Sequence, residues 1–177
     1  MKVGEKEFLQ YFCDMTNYEL AKAIGECLKE NGKTLSAAES CTGGNISHQI
    51  TLVPGSSAYY LGSVTSYAVK VKETVLHVPS EIIEKYGVVS AETACAMAKG
   101  VRELTDSDYA VSTTGLAGPG GDGVYPEGTV YIGLCKRGEE PVAAIYNSPA
   151  SLRSDHIDNF THEALQRLLE LIPKKDY

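Results

Sequence analysis

The stretch AAESCTGG, residues 37–44, sets a carboxyl, a thiol, two hydroxyls and two glycines between an apolar run and a helical pattern. A serine on a strand-to-helix turn is open to reagents. The amides of Thr42, Gly43 and Gly44, at the start of the next helix, would be donors for a phosphate or for the oxyanion of an acyl-transfer intermediate. The plainer reading is a helix cap, with Ser40 or Thr42 accepting from the first amides. Known nucleophile frameworks narrow the field. Ser40 lies between Glu39 and Cys41, so this is not G-x-S-x-G. Gly43 stands where S-x-x-K needs lysine, and no G-K-[ST] follows to make a P-loop. The histidines (His48, His77, His156, His162) fall on helical segments or a helix end, outside both glycine-rich loops. A base would then be a lysine with a lowered pKa. SYAVKVK carries Tyr67, Lys70 and Lys72 to the end of a strand, and the two like charges would depress each other if desolvated. Two solvated surface lysines are the alternative. Cys41 is a rival nucleophile if its thiol is activated at the helix start, and otherwise a buried structural residue.

A second loop, GLAGPGGDGVYPEG at residues 115–128, holds six glycines and two prolines. Glycine lets backbone approach a ligand closely, so the loop reads either as a backbone cradle or as a flexible surface connection. Thr113 and Thr114 precede it. Arg153, near the start of the last helical pattern, has the planar fork that suits a phosphate, although an arginine there also serves as a solvated helix residue.

These residues need a scaffold. YFCDMTNYELAKAIGECLKENG puts Leu20, Ala23, Ile24, Cys27 and Leu28 at helical spacing, with Gly32 as a stop. KTLSAAE predicts a strand and NISHQITLV a helix ending before Pro54. AYYLGSVTSYAV, at residues 58–69, predicts a longer strand. VKETVLHV and PSEIIEKYG are short helical pieces, with Pro79 at a first helical position and Gly87 as a stop. SAETACAMAKGVRELT is a helix capped by Ser90. DYAVSTTG is a buried-type strand, and TVYIGLCKRGEEPVAAIYN is a hairpin turning at Arg137-Gly138. A helix closes the chain over residues 151–171. About five strands, mostly separated by helices, make an α/β layered domain with one antiparallel member. Both unusual loops follow strands, so they can share the sheet edge where ligands gather.

Bulk properties exclude several classes. The 177 residues suit one domain, with a helical segment at 1–31 and an α/β core at 33–172. Net charge is −7 and no basic stripe is present, which argues against a dedicated nucleic-acid surface. No apolar run approaches membrane-spanning length, and the charged N-terminus lacks a signal-peptide core, so the expected location is cytoplasmic. The five scattered cysteines contain no C-x-x-C, which argues against a disulfide framework or zinc site.

Taken together, AAESCTGG, VPGSSAYYLGSVTSYAVKVKETVLHV, YGVVSAETACAMAKGVRE, YAVSTTGLAGPGG and GTVYIGL resemble the CinA C-terminal domain family, in order and at compatible spacing. Members carry the competence/damage-inducible name, and the characterised enzymes are nicotinamide-nucleotide amidases of pyridine nucleotide salvage. The resemblance implies a three-layer α/β/α sandwich with a mixed sheet. It also implies hydrolysis of the carboxamide of nicotinamide mononucleotide to nicotinic acid mononucleotide and ammonia, without metal or other cofactor. Carried over by motif, Ser40 is the nucleophile, Lys72 the base and Tyr67 a positioning or relay group. Thr42, Gly43, Gly44, Thr114, Gly115, Gly118 and Arg153 hold the substrate. Two departures stand out. The family commonly reads Y-S-N-x-x-K where this chain has Tyr67-Ala68-Val69-Lys70-Val71-Lys72, and P-D-G-G where it has Pro119-Gly120-Gly121-Asp122. The expected partner is a small nucleotide, with no nucleic acid or membrane, and a homo-oligomer is compatible with a domain of this size. The alternatives are a Ser-Lys amidohydrolase for another small amide, and a non-catalytic nucleotide- or partner-binding domain.

Overall fold

The computed structural model describes residues 15–173. Of the expected helical segment at 1–31, the first fourteen residues, Cys13 among them, lie outside the described residues. The elements run α1 (Asn17–Asn31), β1 (Leu35–Glu39), α2 (Asn45–Thr51), a 3-10 turn (Ser56–Ala58), β2 (Tyr60–Thr65), α3 (Val69–Thr74), α4 (Ser80–Tyr86), α5 (Ala91–Thr105), β3 (Tyr109–Leu116), β4 (Thr129–Lys136), β5 (Val142–Asn147) and α6 (Arg153–Leu171). Local chemistry sets the boundaries. Thr16 and Glu19 form a reciprocal capping box on α1, and Gly32 ends it in the left-handed region. The Ser90 hydroxyl caps α5 by accepting from Thr93 N.

The sheet order is β2-β1-β3-β4-β5. β1 pairs in parallel with β2 and β3, and β4 is antiparallel to both β3 and β5. One strand of five therefore runs against the rest, as the hairpin required. Alternation along the strands feeds two cores. Leu35, Ala37, Val111, Val130 and Ile132 pack with α1, α2 and α6, while Ala38, Ala110 and Cys135 pack with Met97, Ala98 and Val101 of α5. This is the α/β/α sandwich.

One expectation needs correction. The strand predicted over residues 58–69 ends at Thr65. β2 lies at the sheet edge with β1 as its neighbour, and β1 stops at Glu39, opposite Thr65. Only one further ladder bond forms, from Ser66 N to Glu39 O at 2.8 Å. Beyond it the backbone has no strand to pair with, and Ala68 becomes the N-cap of α3. Pro79 likewise sits at the N-cap of α4, one place before the expected position.

Packing between α5 and the sheet is close at Gly133, where a Cβ would meet Ala94 O at 2.3 Å and Ser112 Oγ at 2.5 Å. The expected result for Gly133→Ala is a loss of roughly 1–3 kcal/mol, read as a lower urea midpoint, because α5 has to move off β4.

Topology also delivers the site. β1, β2, β3 and β5 run in one direction, so the segments that follow them emerge at one edge of the sheet. Those segments carry Ser40, Tyr67, the glycine-rich loop and Arg153.

Candidate active site

At that edge lies a cavity of about 660 Å³. Its lining includes Ser40, Cys41 and Tyr67, the loop residues Gly115 and Gly118, and Arg153. The volume is that of a site for a compact organic ligand. Five of the expected residues are thus brought together in one cavity wall.

Lys72 stands behind Ser40. It is fully buried on α3, its Nζ donates to Ser66 O at 2.5 Å and lies 3.0 Å from Ser40 Oγ. Burial pulls its pKa down from the ordinary lysine range. Of the two causes that could lower it, burial and a neighbouring cation, burial is the one at work, since the Lys70 side chain is exposed. A neutral amine at this distance has a lone pair for the Ser40 proton, so the pair can act as nucleophile and base. Cys41 is the weaker candidate. Its side chain is 5% exposed and burial pushes the thiol up to about 12, so it stays protonated at neutral pH.

The turn after Ser40 is built differently from the expectation. Gly43 N donates to Ser40 O at 3.1 Å, and Gly44 N donates to Glu39 Oε2 at 3.0 Å. Thr42, Gly43 and Gly44 are not part of the cavity lining. The glycine amides are therefore engaged inside the protein and do not face an incoming group. Thr114 is also turned inward, its hydroxyl donating to Val88 O at 2.7 Å. The residue that sequence reasoning missed is Glu39. Fully buried, it accepts from Thr42 Oγ1, Gly44 N and Ile46 N on one oxygen and from Ser47 N on the other. The available signal was a carboxyl ending an apolar strand just ahead of a turn rich in amide donors.

On the opposite wall, Arg153 donates through Nη2 to Tyr67 Oη at 3.0 Å and through Nη1 to Gly118 O. The guanidinium makes no ion pair among the described residues. It faces the cavity with its charge uncompensated, which suits an anionic substrate group. Tyr67 is 64% exposed and tied to Arg153. The loop itself is fastened by Glu127 Oε2, which accepts from Gly120 N at 2.6 Å, and by Asp122 Oδ1, which accepts from Val124 N and Tyr125 N. Those backbone donors hold the Asp122 carboxyl below the usual range.

The helix that carries Lys72 starts without a side-chain cap, because Ala68 occupies the N-cap position with extended backbone. Where the resemblance leads one to expect serine, the chain has lost a hydroxyl acceptor. Ala68→Ser is expected to raise stability by about 1 kcal/mol, read as a higher melting temperature.

Comparisons with known proteins give the family and the fold. The model of the CinA C-terminal domain matches residues 17–172. A CinA-like protein of Endomicrobium trichonymphae is 52% identical over 118 residues, covering 66% of this chain and 28% of that protein. One from Citrifermentans bemidjiense is 49% identical over 121 residues, covering 68% and 29%. The chain thus spans less than a third of the length of these relatives. Among solved structures, the competence or damage-inducible protein from Enterobacter asburiae superposes with a TM-score of 0.86 at 28% identity, over 90% of this chain and 100% of that one. The competence/damage inducible protein CihA from Agrobacterium tumefaciens gives 0.84 at 32% identity, over 88% and 94%.

Proposed function

The chain belongs to the CinA C-terminal domain family, and from that premise we propose that it is an amidase hydrolysing the carboxamide of nicotinamide mononucleotide. The observation that carries the reading is the buried Lys72 amine 3.0 Å from Ser40 Oγ at the cavity wall. Ser40 Oγ attacks the carboxamide carbon while neutral Lys72 takes its proton, giving a tetrahedral intermediate and a protonated amine. With Gly43 and Gly44 engaged, the amide of Cys41, which lines the cavity, is the donor of the turn that serves the oxyanion. Protonated Lys72 gives its proton to the departing nitrogen and ammonia leaves. Lys72, again neutral, draws a proton from water as it attacks the acyl-enzyme, then returns that proton to Ser40 Oγ as nicotinic acid mononucleotide is released. Arg153 and the glycine-rich loop hold the nucleotide phosphate, and Tyr67 braces Arg153. A soluble nucleotide substrate goes with a cytoplasmic enzyme that needs no nucleic-acid or membrane partner. Among the described residues no helix is long and apolar enough to cross a membrane.

The test is ammonia release from nicotinamide mononucleotide, alongside a panel of other carboxamides. Turnover confined to the nucleotide supports the reading. Turnover on a different amide alone would replace the substrate, and tight nucleotide binding without any turnover would make this a binding domain.

A further inference from the structure

The N-terminus of α2 is capped from an unusual place. Gly44 is the N-cap, with φ at 106°, and offers no side-chain acceptor. A side chain is disfavoured in that backbone conformation, so a cap cannot be local. The acceptor comes from Glu39, which lies on the other side of Ser40 in the chain. Its carboxyl reaches over the turn to Gly44 N, Ile46 N and Ser47 N at 2.9–3.0 Å. It also takes the Thr42 hydroxyl at 2.8 Å, and Thr42 Oγ1 is in turn 2.8 Å from Thr113 Oγ1. A local cap would satisfy the same amides without touching Ser40. A cap reaching back from residue 39 closes the intervening turn into a ring and fixes what lies inside it.

The same residue is joined to the base. Glu39 O accepts from Ser66 N at 2.8 Å, and Ser66 O accepts from Lys72 Nζ at 2.5 Å. On the nucleophile's side, Ser40 N donates to Thr113 O at 3.0 Å. Ser40 and Lys72 come from different elements, and Glu39 touches the support of both. We infer that Glu39 is a positioning residue that holds Ser40 within reach of Lys72, acting on the chemical step and not on substrate affinity. The inference rests on the reading of Ser40 and Lys72 as nucleophile and base.

The experiment compares the wild type with Glu39→Gln and Thr42→Val in two assays. One is ammonia release from nicotinamide mononucleotide. The other is covalent labelling of Ser40 by a small fluorophosphonate, which needs no nucleotide. The expected result is a fall of about tenfold or more in kcat, with KM within about twofold, and a parallel slowing of labelling in both variants. A drop in melting temperature with kcat and labelling per folded molecule unchanged overturns the inference. Should Glu39→Gln fail to fold, Thr42→Val, which removes one strand of the same ring, decides alone by the same criterion. Wild-type labelling at Ser40 without ammonia release sinks the substrate and leaves the inference to be judged on labelling. Absence of wild-type labelling at Ser40 takes both down.

Discussion

Ser40→Ala is expected to lower ammonia release from nicotinamide mononucleotide by on the order of 10⁴-fold, while the nucleotide still binds. The size follows from the loss of the hydroxyl poised 3.0 Å from the Lys72 amine, without which no acyl-enzyme forms. Binding survives because Arg153 and the glycine-rich loop stand on other elements of the cavity wall. Single-turnover rates and nucleotide titration by calorimetry check both halves. Cys41→Ala is the companion. It keeps the backbone amide and removes a thiol pushed up to about 12, so turnover persists. Loss of turnover in Cys41→Ala alone would move the nucleophile to the thiol.

Lys72→Met is expected to remove turnover by at least about 10³-fold and, at the same time, to change how stability depends on pH. The folded protein holds the lysine's pKa below its unfolded value of about 10.4, so the unfolded chain binds the extra proton between those limits. Folding must release that proton, at a cost that is fully present below the folded pKa and vanishes as pH rises past the unfolded one. Methionine keeps the stem and loses the charge, together with the bond to Ser66 O, which is a constant offset. The stability of the variant relative to the wild type is therefore greatest at the acid end of this window and declines as pH rises toward 10. Urea midpoints across pH measure it. A parallel pair of curves would contradict a buried, deprotonated amine. In the wild type, kcat/KM should climb through the same lowered pKa, as the base loses its proton.

Much of this was legible in the residues, because local chemistry and periodicity determine it. The stop at Gly32, the cap at Ser90 and the hairpin at Gly138 each depend on a few neighbours. The shared sheet edge also followed from the order of elements. What escaped depended on distant partners. KVK by itself leaves solvated and desolvated lysines both open, and Lys72 is buried because β2 loses its neighbour at Glu39 and α3 turns in behind Ser40. The amides of Gly43 and Gly44 looked available because a carboxyl bridging five residues is not a local pattern. Tyr67 was expected beside the reacting groups, and its observed partner is an arginine 86 residues away along the chain. Thr114 is fully buried itself, and its hydroxyl is engaged by Val88 O from a neighbouring segment, a partner 26 residues away.

The antiparallel run of β4 has a bearing on how such a protein can diversify. Because β3 and β4 pair from Leu116 with Thr129 downward, the intervening loop is a hairpin tip clamped at both ends by one ladder. Ser40 and Lys72 hang from the parallel β1–β2 pair instead. A change of length or composition at the tip is absorbed within the hairpin and leaves the reacting atoms where they were. Selectivity can then drift while the bond-breaking machinery stays put, and a grafted tip from a relative would be the simplest way to re-aim it.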